Sequence, residues 1–260
     1  MRWLIIRRID RTGEEGINNF GSVMLITEYR TCDDIDIIFP EYNYSIKHVD
    51  YSNFKKGTIR CPYEPTVYGH GYIGVGPYKV SEKGKLTKIY RTWNGMLERC
   101  YSKKLHDKYP TYINCTVCNE WLNFQNFAEW YNNNYYEIEN SKMNLDKDIL
   151  IKGNKVYSPD TCVFVPQNIN KLFIKRDSSR GEFPIGVHYY KRNKKFGVVC
   201  SFGNSSSSAY LGLYDTPEEA FQVYKTFKES QIKQIANEYI DIIPTKLYQA
   251  MIEYEVEYDD

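Results

Sequence analysis

The sequence lacks any apolar run long enough to cross a membrane, since a transmembrane helix needs about 20 consecutive apolar residues. The apolar run within residues 1–8 is also too short for a secretory signal peptide. The formal net charge of the 260 residues is only +1, so the chain as a whole does not indicate a polyanionic partner. These absences argue against a membrane-spanning protein, and we expect a cytoplasmic protein with no membrane partner.

The cysteines form no complete metal-binding or disulfide pattern. There are seven, an odd number, at positions 32, 61, 100, 115, 118, 162 and 200. Cys115 and Cys118 have the spacing of half a zinc knuckle, but no second close pair is present to supply the other two ligands. Cys100 and Cys162 could join them only by distant convergence in the fold. We therefore expect free thiols in a reducing cytoplasm, and no bound zinc.

The first 80 residues predict a small all-β module. Apolar strands are expected at residues 23–29 and 35–39, separated by a polar segment. Residues 68–78 combine glycines with aromatic residues, a composition typical of turns and bulges. This run lacks the Lys-Ser/Thr pair and the following helix that a phosphate-binding loop requires. A phosphate-binding role is therefore not expected for it.

The middle of the chain predicts two helices. Residues 90–101 place apolar side chains three and four positions apart, which is typical of one face of an amphipathic helix. A second helix is expected over residues 120–136, where Trp and Phe side chains form the apolar face. We interpret both apolar faces as core packing.

An acidic strand and a helix-opening asparagine form the most informative pattern. Asp146 and Asp148 alternate along a predicted strand, so their side chains project from the same face. A tight loop at residues 153–154 and a second strand over residues 162–165 follow, and Asn168 then opens a helix. Oxygen ligands of this kind suit a hard divalent cation, as in a one-metal nuclease site.

Four motifs of this region resemble the core of the HNH (ββα-metal) endonucleases of phages. They are Leu145-Asp146-Lys147-Asp148, Gly153-Asn154-Lys155, Tyr157-Ser158-Pro159 and Cys162-Val163-Phe164-Val165. The preceding segment is similar too, through Trp93, Met96, Arg99, Cys100, Val117, Cys118, Glu120 and Trp121. The resemblance covers residues 88–175 and implies a central HNH-like nuclease domain.

The resemblance also implies roles for individual residues. Asp146 and Asn168 would hold a divalent cation, Mg²⁺ or Mn²⁺, which stabilises the charge that develops on the scissile phosphate. Lys147 occupies the position where active members carry the histidine that acts as the general base. Lys147 and Asp148 are therefore the candidate catalytic residues, with His106 as a further alternative base.

Three short strands and a helix are predicted in the last third of the chain. The strands are expected at residues 185–191, 196–202 and 210–214. Thr216 has the residue type of a helix N-cap, and Glu219 stands where the acidic partner of a capping box belongs. The helix therefore begins directly after the third strand.

This segment resembles the Apetala/ethylene-response-factor DNA-binding domain. The motifs are Gly186-Val187, Lys195-Phe196, Tyr210-Leu211-Gly212 and Thr216-x-Glu218-Glu219-Ala220. The resemblance implies a three-stranded antiparallel sheet, packed on one helix, that faces double-stranded DNA. The residues that would face DNA are His188, Tyr190, Lys191, Arg192, Lys194 and Lys195. Because Val198, Cys200 and Ser201 replace the basic residues usual in the second strand, phosphate contact is expected more than base readout.

Charge is unevenly distributed along the chain. Between residues 171 and 195, eight side chains are basic and two are acidic. The basic residues are Lys171, Lys175, Arg176, Arg180, Lys191, Arg192, Lys194 and Lys195. Residues 253–260 carry five acidic side chains and no basic one. We expect a nucleic-acid face in the basic stretch and a solvated acidic end.

Together these patterns predict an α+β protein of four parts. They are an all-β module (1–80), an HNH-like ββα-metal domain (88–175), a three-strand-plus-helix DNA-binding domain (183–240) and an acidic tail (241–260). Two functions fit: a phage-type DNA-binding protein that hydrolyses DNA phosphodiesters with a divalent metal, or a catalytically inactive HNH descendant. The inactive descendant would bind DNA or a host protein in the host cytoplasm, as a regulator or a counter-defence inhibitor.

Overall fold

The structure is a computed structural model that describes residues 9–174, 182–202 and 208–258. Helices and small antiparallel sheets alternate along the chain, so the predicted α+β class is confirmed. The chain divides into two compact units, residues 1–131 and 132–260. The predicted HNH-like region at 88–175 extends over this division, and the four predicted domain boundaries stay predictions. Within the described ranges, no helix has both the length and the apolar composition to span a membrane.

The first unit begins with a four-stranded antiparallel sheet in sequential order. Its strands are β1 (Glu15–Ile17), β2 (Val23–Thr31), β3 (Asp34–Phe39) and β4 (Tyr44–Val49). Alternate apolar side chains of β2 and β3 point into one core, as the period of two predicts. This part is not entirely β, because a short helix α1 (Tyr51–Lys55) adds the buried Phe54 to the same core.

The helices of the first unit pack through large aromatic side chains. The elements are β5 (Ser81–Glu82), β6 (Lys85–Leu86), α2 (Lys88–Tyr101), α3 (Lys103–Lys108), β7 (Thr116–Val117), α4 (Asn119–Leu122) and α5 (Phe124–Asn134). Trp93 of α2 is fully buried and donates its indole N–H to the carbonyl oxygen of Trp121, at 2.7 Å. The predicted amphipathic helix at 90–101 is confirmed, and its apolar face is core.

Close packing explains the glycine-rich segment at residues 68–78. A side chain at Gly71 would collide with Leu97 and Trp93, and one at Gly76 would collide with Gln125. The buried Gln125 accepts from the backbone N–H of Tyr78 at 2.9 Å and donates to the Tyr78 carbonyl oxygen at 3.1 Å. The glycines therefore let this segment lie directly on the helices.

The second unit contains the strand pair that the sequence pattern singled out. Its elements are β8 (Met143–Asp146), β9 (Val156–Tyr157), β10 (Val163–Pro166) and α6 (Gln167–Asn170). β8 and β10 are antiparallel, with Asp146 opposite Val163 and Met143 opposite Pro166. All of β10 is buried, so the second strand is a core strand.

A second antiparallel sheet in this unit packs on a long helix. The elements are β11 (Val187–Tyr190), β12 (Lys195–Ser201), β13 (Ser208–Tyr214) and α7 (Pro217–Glu238). The inner face of the sheet, with Val187, Val198 and Cys200, contacts Ala220 and Phe221 of α7. The Thr216 hydroxyl accepts the N–H of Glu219 at 3.2 Å, which confirms the predicted N-cap.

The end of the chain differs from the expected solvated tail. Residues 245–252 form a helix, α8 (Thr245–Ile252), whose Leu247 and Met251 are fully buried against Ile169 and Ile232. Val256 is buried in the core between the sheet and α7. The acidic side chains of this segment alternate with apolar ones, and the apolar ones decide its position.

We expect Met251→Ala to lower the free energy of unfolding by about 2–5 kcal/mol, because it leaves a cavity in a closed core. Gln249→Ala, on the exposed face of the same helix, should change it by less than about 0.5 kcal/mol. Urea denaturation followed by circular dichroism measures both. Equal, small effects would show that the C-terminal helix does not belong to the core.

Candidate functional site

The carboxyl group of Asp146 is engaged by the backbone that follows it. Its Oδ1 accepts the N–H of Asp148 at 2.9 Å and the N–H of Ile149 at 2.8 Å. This Asx-type turn ends β8 and redirects the chain into the loop. Burial, together with the nearby negative charge of Asp148, raises the pKa of Asp146 to about 6.

The side chain of Lys147 closes the loop. It is only 6% exposed, and its Nζ donates to the carbonyl oxygen of Asn154 at 3.0 Å and to Asp148 Oδ2 at 3.2 Å. In return, the Asn154 amide donates to the carbonyl oxygen of Lys147 at 2.7 Å. An ammonium group donates and has no lone pair to take a proton from water. As arranged here, Lys147 is a structural tie and is poorly placed to act as a general base.

The second predicted metal ligand, Asn168, lies toward the other end of the strand pair. The N–H of Gln167 donates to the carbonyl oxygen of Lys142 at 2.8 Å, so α6 starts beside the beginning of β8. Lys142 is four residues from Asp146, or about 13 Å along an extended strand. The register therefore separates the two predicted ligands.

Asn168 also has a different neighbour. Its Nδ2 donates to the hydroxyl oxygen of Tyr239 at 2.6 Å, and within the described residues its buried Oδ1 has no hydrogen-bond partner. With Asp146 Oδ1 held by two amides and Asn168 facing Tyr239, these side chains do not fit a shared Mg²⁺ or Mn²⁺ as arranged here. The further candidate base, His106, belongs to the other compact unit, where its ring Nε2 lies 2.8 Å from the carbonyl oxygen of Arg99.

The six predicted DNA-facing residues lie together at one end of the C-terminal sheet. His188 and Tyr190 lie one and three positions after Val187, which is buried in the core with α7, so by the alternation of a strand they point to the opposite face. Tyr190 lies across Gly197 of the next strand, where any side chain would collide with its ring. The tyrosine ring is thus fixed flat against the outer face while remaining 42% exposed.

The turn between β11 and β12 supplies the positive charge. Lys191, Arg192 and Lys194 are exposed, and Lys194 adopts a left-handed backbone conformation with φ of 51°. Lys195 opens β12 opposite Tyr190, and its Nζ lies 3.0 Å from Asp215 Oδ1 in an exposed ion pair. Lys175, Arg176 and Arg180 of the basic stretch lie outside the described residues.

Sequence reasoning missed one further residue of this face. Tyr210 of β13 pairs with Val199 and is 59% exposed, so it extends the aromatic surface begun by Tyr190. A register shift between Val198 and Val199 sets which residues of β13 face outward. The alternating pattern of residues 208–214 indicates that Tyr210 lies in a strand. It does not indicate which face of the sheet Tyr210 occupies, because that depends on the bulge.

Another cluster has the residue composition of a metal site, but an arginine side chain pairs with its carboxylates. Asp34, Asp36 and His48 are, of the residues described, the sole group of three His, Cys, Asp or Glu side chains within ligand distance of one another. The guanidinium group of Arg30 donates to both carboxylates and holds the pKa of Asp34 well below its usual range. The arginine therefore already supplies positive charge to the two carboxylates.

The chain matches no protein-family model, no curated protein and no solved structure in the comparisons made. The likenesses to HNH endonucleases and to the ethylene-response-factor domain therefore stay interpretations of the sequence motifs. Function has to be argued from the arrangement of this chain's own side chains.

The raised pKa of Asp146 gives a prediction for the metal-free protein. The folded state holds this proton more tightly than the unfolded chain between about pH 4 and pH 6, so its stabilisation is lost as the pH rises through 6. Asp146→Asn cannot ionise, yet its Oδ1 still accepts both amides. We expect the free energy of unfolding of the variant, relative to wild type, to rise by up to about 3 kcal/mol from pH 4 to pH 7.

Urea titrations in EDTA across this pH range measure the difference. Asp160→Asn, at an exposed position between β9 and β10, is the matched control for the loss of one carboxyl group, and we expect the rise in Asp146→Asn alone. A flat profile for both variants would show that the Asp146 carboxyl is not held in a buried position.

Proposed function

We propose that the protein binds double-stranded DNA through the outer face of β11–β13. We further propose that its HNH-like hairpin, formed by β8, β10 and the segment between them, does not cleave DNA. The observation that supports binding is the convergence of four basic side chains and two exposed tyrosines on one surface. The basic residues are Lys191, Arg192, Lys194 and Lys195, and the tyrosines are Tyr190 and Tyr210.

This surface is suited to phosphate contact more than to base readout. Lysine and arginine neutralise phosphates and release counterions, a term that does not depend on base sequence. Tyrosines on a sheet contact sugars or stack on bases while their rings stay in place. The outward side chains of β12 include Val199, which offers no hydrogen-bonding group for base recognition. We therefore expect binding with low sequence specificity.

The case against cleavage rests on the hairpin. Lys147 replaces the general base implied by the resemblance and is committed to Asn154 and Asp148. Asp146 and Asn168 are separated by the register, so these two predicted ligands are not arranged to hold one cation. A metal-dependent nuclease remains the second candidate, since Asp146 and Asp148 are retained, and the cleavage experiment below decides between the two.

We expect changing Lys191, Arg192, Lys194 and Lys195 together to alanine to weaken duplex DNA binding and flatten its salt dependence. Each lost phosphate contact should reduce the slope of log affinity against log salt by about 0.9. Fluorescence anisotropy of a labelled duplex at several salt concentrations measures the slope.

The matched control removes the same charge from other exposed lysines. It changes Lys47, Lys56, Lys79 and Lys85 to alanine. If the turn forms the interface, the control binds like wild type. Equal losses in both quadruple variants would mean that only overall charge matters, and an unchanged slope in the first would refute the proposed interface.

We expect no plasmid cleavage by the wild type with Mg²⁺ or Mn²⁺, and none by Lys147→His. A positioned general base is worth about 100- to 10,000-fold in rate, but only if the metal and phosphate are also in place. Gel analysis of supercoiled plasmid measures nicking and linearisation. Cleavage by either protein that disappears with Asp146→Ala would establish the nuclease and refute the non-catalytic assignment.

A further inference from the structure

A small cavity lies within the second unit, between the segment that follows α6, the C-terminal sheet, α7 and the segment after α8. Its volume is about 50 Å³, and its polar lining includes Lys171, Ser201, Tyr224, Lys228 and Tyr254. A single water needs about 10–15 Å³ of cavity volume, so the space accommodates several waters or one small ion.

The most unusual side chain of this lining is Lys228 of α7. It is 5% exposed, although lysine is rarely buried without an ionic partner. The contact of its Nζ that the structure shows is Gln231 Oε1 at 3.5 Å, the outer limit of a hydrogen bond. Burial lowers the pKa of Lys228, and the thiol of Cys200 is close enough to act against that shift.

The charge of the lining is one-sided. Two lysines, a serine and two tyrosines line the space together with five apolar residues, and none of the described residues that line it is an aspartate or a glutamate. A buried ammonium group without a counter-charge is costly, because it exchanges water for a medium of low dielectric constant. A small anion in the cavity would supply both the missing charge and the missing acceptor.

We propose that this cavity binds a small oxyanion, of the size of a carboxylate or inorganic phosphate, through Lys228, with Lys171 and Ser201 as further donors. The site is separate from the proposed DNA interface, because Lys228 belongs to the helix that covers the inner face of the sheet. Lys171 is exposed and lies near the mouth of the cavity. Lys228 determines whether the anion is held.

The test is isothermal titration of the full-length protein with phosphate and, separately, with acetate, at constant ionic strength maintained with chloride. We expect saturable binding of at least one of them at one site per chain. Lys228→Met should weaken it about 10- to 100-fold, as expected for a charge-assisted hydrogen bond. Lys233→Met, at an exposed position of the same helix, should leave it unchanged. Tighter phosphate binding would identify a phosphate site, and tighter acetate binding a carboxylate site.

Two further variants complete the test. Lys171→Gln should weaken binding without affecting the core, which keeps the proposal open to refutation if Lys228→Met does not fold. The quadruple alanine variant of residues 191, 192, 194 and 195 should bind the anion as wild type does, because the cavity does not involve the β11–β12 turn. Absence of saturable binding of both anions by the wild type would overturn the proposal, as would equal losses in Lys228→Met and Lys233→Met.

Discussion

The second unit depends on one helix that completes two cores. The 22-residue α7 presents Ala220, Phe221 and Tyr224 to the C-terminal sheet, and Ile232 and Ala236 to the β8–β10 strand pair. A two-stranded pair alone is marginally stable at best, and the apolar inner face of the three-stranded sheet also needs a partner to bury it. Their shared helix provides the surface that both bury, and the segment from Leu247 to Val256 closes both cores.

The buried polar side chains of the hairpin serve its structure. Lys147 is one of four buried charged residues in the described part of the chain, and it is stabilised by a carbonyl oxygen and a neighbouring carboxylate. Such a donor organises a loop well, because it satisfies polar groups that the turn leaves buried. The same engagement makes it unsuitable for proton abstraction. The turn beside the outer face of the C-terminal sheet has the opposite character, since Lys191, Arg192 and Lys194 are exposed to solvent.

Local patterns in the sequence predicted most of the secondary structure, and distant packing decided the rest. Residue periodicity located β2, β3, α2 and the start of α7, where Thr216 forms the expected cap. The separation of Asp146 from Asn168 depends on strand register, and the burial of Met251 on partners far along the chain. Neither the separation nor the burial can be predicted from neighbouring residues in the sequence. The six DNA-facing candidates were found together because they share one hairpin, where spacing and geometry agree.

The double role of α7 makes the second unit a single cooperative element in energetic terms. A ligand that binds only the folded sheet stabilises that fold by mass action. Since the sheet and the hairpin share α7, the hairpin cannot open to the solvent independently at low cost. We therefore expect a ligand bound on one side of the helix to slow the exchange of backbone amide hydrogens around Asp146 and Asn154, without any movement of those residues.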